Sequence, residues 1–239
     1  MFVDMHHHFV YGIDDGAQTL EDMKKMLFLA FRDGAERIVA TPHATPGREP
    51  FPTDRFHGHF AEAQALCEEK NYSLQLYKGC EIFYTDDTVR LLRDGVIPTI
   101  GGSRYVLVEF SPEDPYDRLR QAARTLGSVG YKPIFAHFER YECLRKMANL
   151  EELHEEYQII MQMNAATVAY AGFFARQWLR KVMRMGFVDL ISSDAHNLKS
   201  RRFCMNECYE ALKREYGKKA ALELCRDNAM EILETCHPG

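Results

Sequence analysis

The chain has 239 residues, is 46% hydrophobic and carries a formal net charge of −5, which fits one globular α/β domain over residues 1–239 and argues against a nucleic-acid partner. No apolar run approaches the ~20 residues of a membrane span, and no basic segment followed by an apolar stretch opens the chain. Seven scattered cysteines without a C-x-x-C motif are typical of reduced thiols, so we expect a cytoplasmic protein that is not membrane-embedded.

Short apolar runs alternate with amphipathic stretches along the chain. The predicted strands are Phe2–His6, Arg37–Thr41, Leu74–Cys80, Tyr105–Phe110, Pro133–Ala136, Gln158–Met163 and Val188–Ser192. The predicted helices are Thr19–Asp33, Thr53–Asn71, Thr85–Asp94, Asp117–Gly127, Leu144–Glu156, Val168–Met185 and Arg202–Tyr216, with one or two more over Lys218–Glu234. Repeated strand–helix units predict parallel strands, either in a closed barrel or in an open sheet. The first strand lacks a glycine-rich phosphate loop, which disfavours a nucleotide-binding open sheet.

The first predicted strand ends in two histidines separated by one residue, His6 and His8. Residues i and i+2 of a strand point to the same face, so both imidazoles can reach one metal ion. A remnant of an expression tag and a pair of surface histidines are the alternatives, although a tag usually has six histidines.

Metal-ligating residue types recur at the carboxyl ends of the later strands. They are His43, Glu81, Glu109, His137, Asp194 and His196. Each alone fits a solvated loop residue or a hydrogen-bonded core histidine. In a parallel β/α barrel these ends meet on one face, where the active site forms. The whole set therefore predicts a cluster with His6 and His8.

Three carboxylates packed together repel one another, and divalent ions remove that cost. Eight ligands suit two or three ions, and imidazole with carboxylate but no thiolate fits Mn, Fe or Zn. Such a centre indicates hydrolysis, especially of phosphate esters. Arg140 and Arg201 follow two of the strand ends closely and can bind phosphate, unless they are solvated loop charges. Asp14-Asp15-Gly16 can return a carboxylate to the metals or form a plain acidic turn.

The pattern His6-x-His8, Asp15, His43, Glu81, Glu109, His137 and Asp194-x-His196 resembles the PHP (polymerase and histidinol phosphatase) family. The resemblance implies a distorted (β/α)7 TIM-like barrel with three metal ions. One ion would take His6, His8, Glu81 and Asp194. A second would take Glu81, Glu109 and His137, and the third would take Asp15, His43 and His196.

The segments 12–16, 79–84, 103–110, 136–141 and 193–197 resemble one PHP branch, the manganese-dependent protein tyrosine phosphatases encoded with capsule and exopolysaccharide genes in Gram-positive bacteria. The resemblance implies a phosphotyrosine substrate on the tail of a tyrosine autokinase, with Arg140 and Arg201 as its phosphate-binding residues. The loop Thr41–Pro46 departs from that branch's usual sequence and borders the substrate. Cysteine-based tyrosine phosphatase chemistry is not indicated, since Cys143 lies too close to Arg145 to form the phosphate loop of that class.

The predicted reaction is hydrolysis of phosphotyrosine by metal-activated hydroxide, with His43 or His196 as a possible proton donor to the leaving group. Two alternatives share the ligands: a small-molecule phosphatase such as histidinol phosphatase, and a metal-binding regulator without turnover. The apolar helix Thr19–Asp33 leaves a homo-oligomer open beside a broad core face.

Overall fold

The computed structural model describes the backbone of residues 1–238 and the side chains of that range apart from those of residues 173 and 174. Its strands are β1 (Phe2–His7), β2 (Ala35–Ala40), β3 (His43–Ala44), β4 (Gln75–Lys78), β5 (Glu81–Phe83), β6 (Tyr105–Glu109), β7 (Lys132–Phe135), β8 (Ile160–Asn164) and β9 (Leu190–Ser192). Its α-helices are α1 (Leu20–Arg32), α2 (Thr53–Glu69), α3 (Thr88–Arg93), α4 (Tyr116–Ser128), α5 (Met147–Glu151), α6 (Ala165–Tyr170), α7 (Phe173–Arg184), α8 (Met205–Leu222) and α9 (Asn228–Leu233). None of the described helices combines the length and the apolar character needed to cross a membrane.

The strands pair in parallel throughout the described residues, which confirms the predicted α/β class. They form a three-stranded sheet, β1-β2-β4, and a six-stranded sheet, β3-β5-β6-β7-β8-β9. The closed barrel expected from the resemblance is not confirmed, because the pairing is divided between these two sheets. The division falls where Thr41-Pro42 separates β2 from β3 and Gly79-Cys80 separates β4 from β5. Proline has no N–H to donate to a ladder, and its position fits such a break.

Several predicted elements are divided or displaced in the structure. The helix predicted over Val168–Met185 is two helices, α6 and α7, with Ala171 and Gly172 between them. The helix predicted over Leu144–Glu156 is a 3-10 turn, the short α5 and a π-helical turn. Apolar periodicity shows where such segments are buried, but it does not show where the hydrogen bonding changes. Helix α1 begins as predicted, with a capping box between Thr19 and Asp22.

A bulge in β1 decides which way its histidines face. Val3 and Met5 belong to an apolar cluster with Val39, Leu107 and Ile134 of the neighbouring strands. The register against β2 shifts between Asp4 and His7. After this shift the His7 ring packs against Phe9 and Phe203 of the larger core cluster, on the helix side. An extra residue in a strand re-aims the side chains that follow it, so His6 and His8 turn to the side opposite His7.

Candidate metal centre

Glu81 lies at the centre of the site and is completely buried. Its Oε2 lies 3.0 Å from His6 Nε2, 3.3 Å from His8 Nε2 and 3.2 Å from His43 Nδ1. Its Oε1 lies 2.8 Å from His137 Nε2. Glu81 begins β5, immediately after the break at Gly79-Cys80, so the interruption in the sheet places this carboxylate where four imidazoles converge.

Asp15 and His196 close the site on the side of the β1–α1 loop. Asp15 Oδ1 lies 3.3 Å from both His43 Nε2 and His196 Nε2. The neighbouring Asp14 has a different part: its Oδ2 lies 2.6 Å from His8 Nδ1 and accepts a hydrogen bond from the backbone N–H of His43 at 2.9 Å. The two adjacent aspartates thus divide into one that faces the cluster and one that orients two of its histidines.

Glu109 and His137 lie at the ends of β6 and β7. Glu109 Oε1 is 3.0 Å from His43 Nδ1, and its Oε2 is 3.6 Å from His137 Nε2. His137 has a φ of 32°, in the left-handed region that few residues other than glycine adopt. Asp194, beyond the end of β9, has a φ of 51°. Such strain persists where the surroundings impose it, and here it falls on two residues of the cluster.

Asp194 connects the cluster to both predicted arginines. Its Oδ1 lies 3.4 Å from His6 Nε2 and accepts a hydrogen bond from Arg201 Nη2 at 2.9 Å. Its Oδ2 accepts hydrogen bonds from Arg140 Nη2 at 2.9 Å and from Asn164 Nδ2 at 2.7 Å. The Arg140 and Arg201 side chains remain 43% and 36% exposed, so their guanidinium groups lie at the mouth of a buried site.

Strand β8 contributes two residues that the sequence analysis did not select. Gln162 Oε1 lies 3.0 Å from His6 Nδ1 and accepts a hydrogen bond from the backbone N–H of His137. Its Nε2 donates to Asn164 Oδ1, and Asn164 in turn donates to Asp194. The i, i+2 spacing of two buried amides at the end of an apolar strand was the available signal. A partner at Nδ1 leaves Nε2 of His6 directed at the cluster.

The charges in the cluster raise the pKa of two of its histidines and lower that of a third. Burial acts against the protonated form of His8, but Asp14 and Glu81 outweigh it and raise the pKa of His8 to about 10. Burial is likewise outweighed at His137, where hydrogen bonds to Glu109 and Glu81 raise the pKa to about 9. Burial and the charge of His8 lower the pKa of His196 to about 2. A cation that binds here therefore displaces protons, and its affinity rises with pH.

The donor atoms fall into three overlapping groups in which all ligand atoms lie within 4.8 Å of one another. The groups are His6, His8, Glu81 and Asp194; His8, Asp15, His43 and His196; and His43, Glu81 and Glu109. Glu81 Oε2 and His196 Nε2 are buried without a conventional hydrogen-bond partner. Imidazole and carboxylate donors crowded in this way, with two of their atoms unsatisfied, fit divalent metal ions.

The structure brings all of the predicted site residues together, from His6 to Arg201. The first predicted ligand set, His6, His8, Glu81 and Asp194, coincides with one of the three groups. The predicted second set differs, since His43 takes the place of His137 beside Glu81 and Glu109, although His137 also contacts both carboxylates. The predicted third set gains His8. Which atoms ligate which ion stays a prediction.

Known proteins resemble the chain over nearly its whole length. A family described as capsular polysaccharide synthesis, CpsB/CapC, matches residues 2–234. Tyrosine-protein phosphatase CpsB of Streptococcus pneumoniae is 31% identical, with 97% of this chain and 98% of that protein covered. Tyrosine-protein phosphatase YwqE of Bacillus subtilis is 26% identical, covering 97% and 91%.

A solved structure agrees with these sequence matches. It comes from work on YwqE of Bacillus subtilis and CpsB of Streptococcus pneumoniae, described as metal-dependent tyrosine phosphatases. Its TM-score is 0.87 at 25% identity, with 99% of this chain and 96% of that chain covered. The resemblance to capsular tyrosine phosphatases that the sequence predicts is confirmed.

Proposed function

This chain belongs to the CpsB/CapC family, and on that basis we propose that it is a metal-dependent protein tyrosine phosphatase of capsule or exopolysaccharide synthesis. The observation that carries the proposal is the convergence of four imidazoles on the buried carboxylate of Glu81, beneath two arginines that both contact Asp194. Such a combination of metal ligands and phosphate-binding cations suits hydrolysis of a phosphate ester.

Two or three divalent ions, with Mn favoured over Fe and Zn, would be held by the nine predicted ligands. These are His6, His8, Asp15, His43, Glu81, Glu109, His137, Asp194 and His196. Bound there, the ions would supply a water of lowered pKa and neutralise charge on the phosphoryl oxygens. Asp14 and Gln162 hold His8 and His6 by their Nδ1 atoms and so keep the two Nε2 atoms directed inward.

Arg140 and Arg201 are the proposed phosphate-binding residues. Each donates a hydrogen bond from its Nη2 to Asp194, which holds the guanidinium group at the mouth of the site, and Arg201 Nη1 also lies 3.4 Å from Asp15 Oδ2. A guanidinium group has five N–H donors, so others remain to bind phosphoryl oxygens as charge develops. His43 is the better placed of the two predicted proton donors, because its side chain is 32% exposed whereas that of His196 is buried.

The fold proposal is a distorted (β/α)7 barrel formed by one domain over residues 1–239. Its support is the backbone pairing between β1 and the segment after β9. His7 forms an isolated parallel β-bridge with Ala195, and Asp194 N–H donates a hydrogen bond to His6 O at 2.9 Å. If β2 with β3 and β4 with β5 each count as one interrupted strand, seven strands remain. The family match from residue 2 to residue 234 supports a single domain.

The proposed substrate is a phosphotyrosine protein in the cytoplasm, in particular the tail of a bacterial tyrosine autokinase. A phenolate with a pKa of ~10 leaves with little acid assistance. This suits a site whose metal ligands and arginines face the phosphate group. The names of the relatives support the phosphotyrosine substrate. The kinase follows only from the resemblance of the sequence motifs.

The test is phosphate release by metal-stripped protein with and without added Mn²⁺. We expect Mn-dependent release from a phosphotyrosine peptide and much slower release from its phosphoserine counterpart and from histidinol phosphate. A preference for histidinol phosphate would agree with the proposed metal centre but would refute the proposed protein substrate. Metal binding without release from any of the three would favour a regulator without turnover.

A further inference from the structure

We propose that Arg48, which lies over the Phe83 ring beside the metal centre, binds an anionic group of the substrate close to the phosphotyrosine. This inference rests on the proposed function and names the chemistry of the peptide that the site selects. It assigns a role to the loop after β3.

Phe83 lies beside two of the candidate metal ligands. It follows Glu81 by two residues in β5, so the two side chains share a face of the strand. It is also the register partner of Glu109 on β6. Phe83 is only partly buried, whereas Glu81 below it is completely buried. Phe83 therefore forms part of the wall between the metal ligands and solvent.

The Arg48 guanidinium lies over this ring, 5.6 Å from its centroid. Arg48 is exposed, and none of the described residues forms an ion pair with it. A cation–π contact of this kind does not use the N–H donors of the guanidinium group, which remain available to an oxyanion. By contrast, Arg90, Arg118, Arg140 and Arg201 each contact a carboxylate.

The loop that carries Arg48 is held in place by its own contacts. Thr85 Oγ1 donates a hydrogen bond to Pro46 O at 2.9 Å, which ties the loop to the end of β5. Gly47 has a φ of 76°, in the left-handed region that favours glycine, and a Cβ at this position would displace the Asp87 carboxylate. Arg48 N–H donates to Thr45 O, which closes a tight turn. The loop thus presents Arg48 over Phe83 without needing a substrate to order it.

The position of Phe83 sets which part of a substrate Arg48 reaches. Phe83 is the register partner of Glu109 and lies two residues beyond Glu81, so a group bound at Arg48 belongs to a residue close to the phosphotyrosine in the peptide. A glutamate or aspartate carboxylate and a second phosphate share the oxyanion chemistry that a guanidinium recognises.

The test compares kcat/KM for three phosphotyrosine peptides with added Mn²⁺. The peptides differ only at the positions within three residues of the phosphotyrosine. The first carries glutamates at these positions, the second carries glutamines, and the third carries a non-hydrolysable phosphonate analogue of phosphotyrosine. We expect the wild-type protein to prefer an anionic peptide over the glutamine peptide by about fivefold, the size of one partly exposed ion pair. A preference for the glutamate peptide identifies a carboxylate as the natural group, and a preference for the phosphonate peptide alone identifies a second phosphate.

Three variants separate recognition from a structural role of the loop. Arg48→Ala should abolish the preference, and Arg48→Lys, which keeps the charge without the planar fork, should retain only part of it. Arg93→Ala removes an exposed charge from the neighbouring α3 and should leave the preference intact. An equal fall for all peptides in Arg48→Ala, or no preference in the wild type, would overturn the inference alone. No Mn-dependent release from any peptide would overturn the proposed function with it.

Discussion

Replacement of Glu81 by glutamine is the sharpest test of the metal centre. The substitution keeps the size of the side chain and removes one charge. Glu81 belongs to two of the three donor groups and contacts four imidazoles within 3.3 Å. We therefore expect Glu81→Gln to retain less metal per chain than a substitution of a ligand found in a single group, such as Asp15→Asn.

The expected size follows from the distances. A unit charge 3.0 Å from a Glu81 oxygen gains about 5 kcal/mol at an effective dielectric constant of ~20. A divalent ion gains about twice that, and desolvation offsets most of the gain. If about 3 kcal/mol remains, the affinity for Mn²⁺ falls by at least about 100-fold. Phosphate release should fall at least as far, because two donor groups are affected.

The assay is metal content after dialysis, followed by Mn²⁺ titration of phosphate release from a phosphotyrosine peptide. Circular dichroism checks that the variant is folded. Glu142→Gln is the matched control, since Glu142 is an exposed carboxylate close to the predicted phosphate-binding Arg140. A folded Glu81→Gln protein with wild-type metal content and activity would refute the assignment of Glu81 to a metal centre.

Three further predictions concern the residues around the centre. Arg140→Ala should lower kcat/KM for a phosphotyrosine peptide by about 100-fold while metal content, measured in parallel, stays unchanged. Gln162→Leu removes the acceptor of His6 Nδ1 and His137 N–H, and should weaken Mn²⁺ affinity by about 10- to 100-fold in a metal titration. His154→Gln should lower the free energy of unfolding by about 1 kcal/mol at pH 6, since the hydrogen bond to Asp189 raises the pKa of His154 to about 9. This stabilisation is complete below the unfolded pKa of 6.5 and is lost as pH rises through 9, so denaturation at pH 6 and pH 10 should show the difference shrinking.

Each of these three predictions has a clear contrary outcome. Loss of metal from Arg140→Ala would mean that its contact with Asp194 supports the ligands more than the substrate. An unchanged Mn²⁺ affinity in Gln162→Leu would mean that His6 needs no partner at Nδ1. A difference in His154→Gln that persisted at pH 10 would point to lost packing against Phe187 instead of a lost charge interaction.

The sequence alone identified the candidate metal ligands and the two arginines, because parallel strands bring their carboxyl ends to one face. Residues as distant as His6 and His196 could be grouped by their position after apolar runs, before any distance was known. The order of strands and helices followed in the same way from alternating apolar patterns. Such patterns reflect burial, and the polarity of each residue in the sequence indicates whether that residue is buried.

Only the tertiary structure decided how those residues are arranged. The bulge between Asp4 and His7 turns His6 and His8 away from the face of His7, and the break before Glu81 places its carboxylate among four imidazoles. Backbone irregularities of this kind depend on hydrogen bonds between distant segments, so local periodicity does not reveal them. The contacts of Gln162 with His6 and His137 are likewise visible only after three strands have come together.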